Sequence, residues 1–367
     1  MSGNLIGQTL EGSLSDVRLG LKEVKDVQQS MLHEQLESRI QRVVNTASFV
    51  RSSNVSLNAL VLSNSLTDYL NNVSDLNNPS NRDLGFSLVQ VVDELVEENI
   101  FKGKNRAGGS GKSKFMQIVN GILEMPLTKT FTSTIPVVSS LTAITQLVTN
   151  TTVVDKNLSV NDLAKFRDQI GIYITHYEGL SVASKDFEMK VGVLSERTLA
   201  VQLMLRNFTY QRIGALSPSD FQTTKSLQDY SIREIIVDYY NRSIVESKVN
   251  KILADHSTDG VIDYQAVLAA PELDYPDFVV NEARFVLDEI ETISKEYLVA
   301  FDEYQEALEV VLHNSKDFGN PDKIDRKIES LKKKLADVEE AFLNAVHVEE
   351  VDRNFNLLVE TKGRQKI

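Results

Sequence analysis

Cysteine and tryptophan are absent from the 367 residues, and only seven prolines interrupt them. Without cysteine there is no disulfide staple, thiolate metal site or cysteine nucleophile, and the redox state of the compartment stays open. So little proline favours long helices over sandwiches or barrels. The start, Met1-Ser-Gly-Asn-Leu-Ile-Gly, has neither the basic opening nor the apolar core of a Sec-type signal peptide. The expectation is a cytoplasmic protein, or one exported by another route. Hydrophobic residues at 42% and charged residues at 25% are close to the globular average, which excludes a collagen-like, fully disordered or multi-span membrane chain.

The net charge of −13 is concentrated near one end. From Pro271 to Asp352 there are 22 acidic and 9 basic residues, enough to account for the whole excess. Nucleic-acid binding draws its affinity from Lys and Arg neutralising phosphates, so nucleic acid is not an expected partner.

Apolar residues recur at helical spacing over most of the length. Leu14, Val17, Leu21 and Val24 step by three and four, and Leu32, Leu36, Ile40, Val43, Ala47 and Val50 resume after a phase shift. A second helix carries Leu84, Leu88, Val91 and Leu95. The longest pattern opens near Ser159 and runs through Leu163, Phe166, Ile170, Tyr173, Tyr177, Leu180, Ser184, Phe187, Val191, Leu194, Thr198, Val201, Leu205 and Phe208. Twelve of these fourteen are apolar, which reads as a coiled-coil-type seam. Further helices are expected from Ile232 to Ala254 and, after Pro276, along Val286, Ile290, Ile293, Tyr297, Ala300, Tyr304, Leu308 and Val311. Gly319-Asn320-Pro321 stops the helix and restarts it along Ile324, Ile328, Leu331, Leu335, Val338, Phe342 and Ala345. Two seams joined by so short a turn should fold back as an antiparallel hairpin.

The fold expected is all-α, an elongated bundle of long coiled-coil-like helices with a C-terminal antiparallel helical hairpin. Five stretches divide it: 1–78, one or more long helices; 79–156, helices with a basic glycine-rich loop and a charge-free insert; 157–216, the long central helix; 217–275, short helices with an EF-like turn; and 276–367, the acidic hairpin.

Three places could carry chemistry. Gly111-Lys112-Ser113 ends like a P-loop, but the glycine needed five residues before Gly111 is Arg106, and the preceding segment reads as helix rather than strand. A basic loop is the better reading, with Lys102, Lys104, Arg106, Lys112 and Lys114 available to anionic lipid or an acidic partner. Asp255 to Ala266 resembles an EF-hand or dockerin-type calcium loop. Asp255, Ser257 and Asp259 fall at positions 1, 3 and 5, Gly260 at the sharp turn and Asp263 at 9, whereas position 12, which supplies a bidentate carboxylate, is Ala266. It reads either as a calcium site or as a helix-connecting Asp-Gly turn, and no other cofactor is expected. His33, His176, His256, His313 and His347 are dispersed, with no pair at i, i+4, so each reads as a surface or seam residue. No nucleophile elbow is present, and the expectation is a protein that is not an enzyme.

The segment from Thr130 to Val154 contains no charged residue. Phe131, Ile135, Val137, Val138, Leu141, Ile144, Leu147 and Val148 form either a docking face within the core or a membrane-inserting element. In layout the chain resembles the α-helical pore-forming toxins of the cytolysin A and haemolysin BL group. The likeness lies in long amphipathic helices (Ser13 to Val73, Ser159 to Ile213), the charge-free insert between them, and the lack of cysteine. That resemblance implies a soluble rod that exposes an apolar tongue and oligomerises in a membrane. Two functions follow as expectations. One is a non-enzymatic helical scaffold that docks a protein partner or copies of itself through its seams. The alternative is the soluble form of a membrane-acting assembly that inserts 130–154 into a lipid bilayer.

Overall fold

Most of the helical spacing is realised as helix in a computed structural model that describes residues 3–61, 73, 75–101, 117–119, 141–147, 160–216 and 230–360. Among the described residues the chain is all-α apart from one two-residue β-hairpin. Its elements are α1 (Gly3–Val61), α2 (Leu88–Asn99), α3 (Val160–Leu216), α4 (Ile232–Asp238), α5 (Arg242–Asp255), β1 (Ser257–Thr258), β2 (Val261–Ile262), α6 (Tyr264–Leu268), α7 (Asp277–Asn314), α8 (Pro321–Val346) and α9 (Val348–Glu360). They are grouped into two compact units, each drawn from separate stretches of chain. One takes Met1–Ala59, Thr198–Thr292 and Val346–Ile367, and the other Leu60–Arg197 and Ile293–Ala345.

In the second unit the expected hairpin forms. Tyr297 of α7 meets Phe342 of α8 with ring centroids 5.5 Å apart, Glu309 pairs with Lys332 at 3.0 Å, and Lys316 pairs with Asp325 at 2.5 Å beside the turn. Partner numbers fall on one helix as they rise on the other, which is antiparallel pairing. Gly319 donates its N–H to the Ser315 carbonyl at 2.8 Å, and Asn320 caps α8 by accepting from the Lys323 N–H at 3.0 Å, with Pro321 at the first helical position where no N–H is needed. The α3 stretch of this unit also lies antiparallel to α7. Ser184 and Tyr304 share a hydrogen bond of 3.1 Å, Lys190 reaches Glu303 at 2.7 Å, and Arg197 reaches Glu296 at 2.9 Å. Of the fourteen seam residues of α3, Leu163, Tyr173 and Val191 are half-buried and the rest are buried. Along α8 the seam holds to Phe342, after which Val346 rather than Ala345 is buried, and the chain turns at His347 with φ 51°.

The first unit packs α1 against α9, again antiparallel. Asn45 donates to the Leu357 carbonyl at 3.1 Å, Asn354 donates to Ser52 Oγ at 3.0 Å, and Ser56 Oγ donates to the Val346 carbonyl. The face α1 presents there mixes small polar and aromatic side chains, with Ser52 and Ser56 buried and Phe49 meeting Phe355 at a ring-centroid distance of 6.0 Å. Thr46 Oγ1 also meets the Tyr275 hydroxyl at 2.6 Å, and Arg39 donates to the Leu268 carbonyl at 2.7 Å.

Two expected helix boundaries are corrected. Leu84 lies outside α2, which starts only at Leu88, because Gly85 takes a left-handed φ of +85°. Leu84 is nonetheless buried. The helix expected from Ile232 to Ala254 is two helices. Asn241 accepts from the Ile244 N–H and begins α5 anew, and the break lets Tyr240 bury almost completely.

Candidate functional site

The calcium-like stretch folds as a connector between α5 and α6. Asp255 ends α5, and β1 and β2 pair Ser257 with Ile262 and Thr258 with Val261. Asp259 and Gly260 form the two-residue turn between them, both left-handed with φ of 53° and 79°. That is the backbone a tight hairpin turn requires and an Asp-Gly pair adopts readily. The Asp263 carboxylate is committed to α6, accepting from the N–H groups of Gln265 and Ala266 at 3.1 Å each, while Ser257 Oγ donates to the Leu253 carbonyl at 2.6 Å. Among the described residues no three acidic or histidine side chains come together where they could hold a metal ion.

Within the charge-free insert the structure describes 141–147, a short helical stretch. Leu141 and Ile144 are fully buried on one face and Leu147 is half-buried, while Thr142 and Gln146 face solvent. Phe131, Ile135, Val137, Val138 and Val148 lie outside the described residues, as do Lys102, Lys104, Arg106, Lys112 and Lys114. Among the described residues no helix is long and apolar enough to cross a membrane.

An exposed apolar surface lies on α1. From Lys22 to Met31 every residue is exposed, yet Val24, Val27 and Met31 stand on that stretch at 63%, 60% and 57% exposure. Steps of three and four place these residues on one side of the helix, which makes an apolar stripe. Burial begins at Leu36 and continues through Val43, Ala47 and Val50. The phase shift between Val24 and Leu32 therefore coincides with the passage from the uncovered part of the helix to the covered part. The α1 residues that meet the α9 region, Asn45, Phe49, Ser52 and Ser56, continue the side of the helix that Val27 and Met31 occupy, whereas Leu36, Val43, Ala47 and Val50 lie on another side.

A second feature had no signal in the spacing. In the second unit His176 is buried among Phe86, Tyr177 and Phe318, at centroid distances of 5.8, 5.1 and 5.8 Å. Among the described residues the Val311 backbone is the ring's polar neighbour, too poorly aligned to give either nitrogen a well-formed hydrogen bond. Burial lowers the imidazole pKa to about 4, with the Val311 backbone pulling weakly the other way. Burial likewise pushes the neighbouring Tyr177 hydroxyl up, and Tyr173, once ionised at alkaline pH, adds to the shift. Phe86 and Phe318 belong to turns far apart in sequence, so only the folded chain brings them to His176.

Comparison with known proteins finds no matching family model, no similar curated protein and no similar solved structure.

Proposed function

We propose that this chain is a non-enzymatic helical scaffold, acting in the cytoplasm or after export, that docks a helical partner through α1. The partner is another protein or a second copy of the chain. The observation that carries this reading is the stripe of Val24, Val27 and Met31 on a stretch of helix exposed at every residue. Water-exposed apolar area of this kind is removed most simply by a second helix laid along it, at about 25 cal/mol per Å² covered. The burial of Leu141 and Ile144 supports a packing role for that part of the charge-free insert over the membrane-inserting role in the toxin-like reading. The acidic excess from Pro271 to Asp352 supports a protein partner over nucleic acid.

The test is a photocrosslinking amino acid placed at Val27 in the full chain, irradiated in the native host. A discrete product, to another protein or to a second copy, is expected, and Val24→Glu with Met31→Glu should abolish it. No product, or one that also forms from a probe at the exposed Leu343, rejects the docking role. Flotation with liposomes addresses the membrane reading: stable association with dye release would replace the scaffold with a membrane-acting assembly.

A further inference from the structure

The loop that leads into α2 is clamped to the turn between α7 and α8. The Asn320 N–H donates to the Leu84 carbonyl at 3.0 Å, and Asp83 accepts from Lys327 at 2.6 Å. At two points the approach leaves no room for a side chain. A Cβ on Gly85 would lie 2.4 Å from Asn320 Cβ, and one on Gly319 would lie 2.9 Å from the Leu84 carbonyl oxygen. Phe86 and Phe318 continue this contact as a ring pair with centroids 5.3 Å apart, and both lean on His176.

We propose that His176 is an acid-sensitive latch: a proton taken up by its ring, inside a box of aromatic side chains, undocks the loop at residues 84–86 from the turn at 318–320. The inference stands apart from the docking role of α1. A neutral imidazole fits this box as a small aromatic ring. Among the described residues the charged form finds only the Val311 backbone as an acceptor and no counter-charge, and a buried cation so weakly paired is strongly disfavoured.

Among the described residues no charged side chain bears on the ring from the elements around it. On α3 its neighbours Tyr173 and Tyr177 are neutral phenols, and Glu94 of α2 acts on Tyr173. On the loop Asp83 is held by Lys327, at the turn Lys316 is held by Asp325, and α7 offers only the Val311 backbone.

The direction follows from linkage. The docked ring has its pKa lowered to about 4, against about 6.5 for an exposed histidine. The undocked form therefore binds the proton first, and docking weakens as pH falls from 6.5 to 4 and no further below that. Across this window the undocking equilibrium moves by on the order of a hundredfold. The hydrogen bond from Lys327 holds the Asp83 carboxyl below the usual carboxylate range, so Asp83 contributes only toward the acid end of the window, and the His176 variants separate its share. Between α7 and α8 burial, with Asp302 nearby, raises the pKa of Glu339, so proton uptake there favours the packed form as pH falls and does not open the seam.

The experiment is amide hydrogen exchange of the full chain at pH 7 and pH 4, with rates corrected for the intrinsic effect of pH. Residues 79–87 and 315–320 should lose protection by on the order of a hundredfold at pH 4, while α7 and α8 keep theirs. His176→Phe should abolish the pH dependence, and His176→Leu serves if the larger ring does not fit. Equal protection at both pH values overturns the latch. So does the same acid opening in the variants, or a nuclear magnetic resonance titration that places the His176 ring near 6.5.

Discussion

The rings of Phe187 and Tyr304 lie nearly parallel, 14° apart with centroids 4.5 Å from each other. The Tyr304 hydroxyl at the same time meets Ser184 Oγ at 3.1 Å. This contact locks the register of α3 against α7 in the second unit, since one aromatic stack and one hydrogen bond must be satisfied together. Phe187→Ala should cost about 3–5 kcal/mol through the cavity it leaves. Tyr304→Phe, which keeps the stack and loses the hydrogen bond, should cost about 1 kcal/mol. Urea unfolding of the two variants measures both, and equal losses would show that the hydroxyl matters as much as the ring.

Glycines separate into two kinds. Gly85 has φ +85° and touches Asn320, so Gly85→Ala combines a disfavoured backbone with a steric clash and should destabilise by at least about 2 kcal/mol. Gly171 and Gly192 sit in the interior of α3 with open space where a Cβ would stand. Alanine at either should stabilise by about 0.5–1 kcal/mol. Thermal unfolding of the three variants should show shifts of opposite sign.

Alkaline pH should expose the buried tyrosines. Burial raises Tyr275, Tyr297 and Tyr304 to about 12 and lifts Tyr177 and Tyr240 further. In the unfolded chain each ionises near 10, so the stability they confer is complete below pH 10 and is lost as pH climbs toward 12. A phenolate absorbance titration should show an early class of exposed tyrosines and a late class that appears together with loss of helix. A single transition near 10 with helix intact would contradict this.

The connector between α5 and α6 should behave as a capped turn. Asp263→Ala removes the acceptor for two backbone N–H groups and should cost about 1 kcal/mol, and Asp263→Asn should cost less because asparagine caps almost as well. Calcium at millimolar concentration should leave the melting temperature unchanged. Heat on titration, with a raised melting temperature, would show a metal site there.

Much of this architecture can be read from spacing alone. The seam from Phe166 to Phe208, the hairpin pivoting on Gly319-Asn320-Pro321 and the helix start near Ser159 all follow from apolar steps of three and four bounded by turn residues. These signals are local, because a helix forms its hydrogen bonds within itself. The break at Asn241 was hidden because Tyr239 and Tyr240 continue an apolar pattern, and only the burial of Tyr240 favours ending one helix and starting another. The calcium-like spacing of Asp255, Ser257, Asp259 and Asp263 likewise could not reveal that Asp263 is used as a helix cap.

The sequence by itself determined the all-α class, the long helices and the antiparallel return of α8 on α7, since period and turn chemistry are properties of neighbouring residues. Only the tertiary structure decided which helical faces are covered. The same kind of apolar stripe is buried at Val43 and Ala47 and exposed at Val24 and Met31. Tertiary structure alone also gathered Phe86, His176 and Phe318 around one ring. The physical reason is that periodicity fixes the face a residue occupies on its own helix, whereas its partner across the contact comes from a distant stretch of chain whose placement depends on the packing of the whole unit.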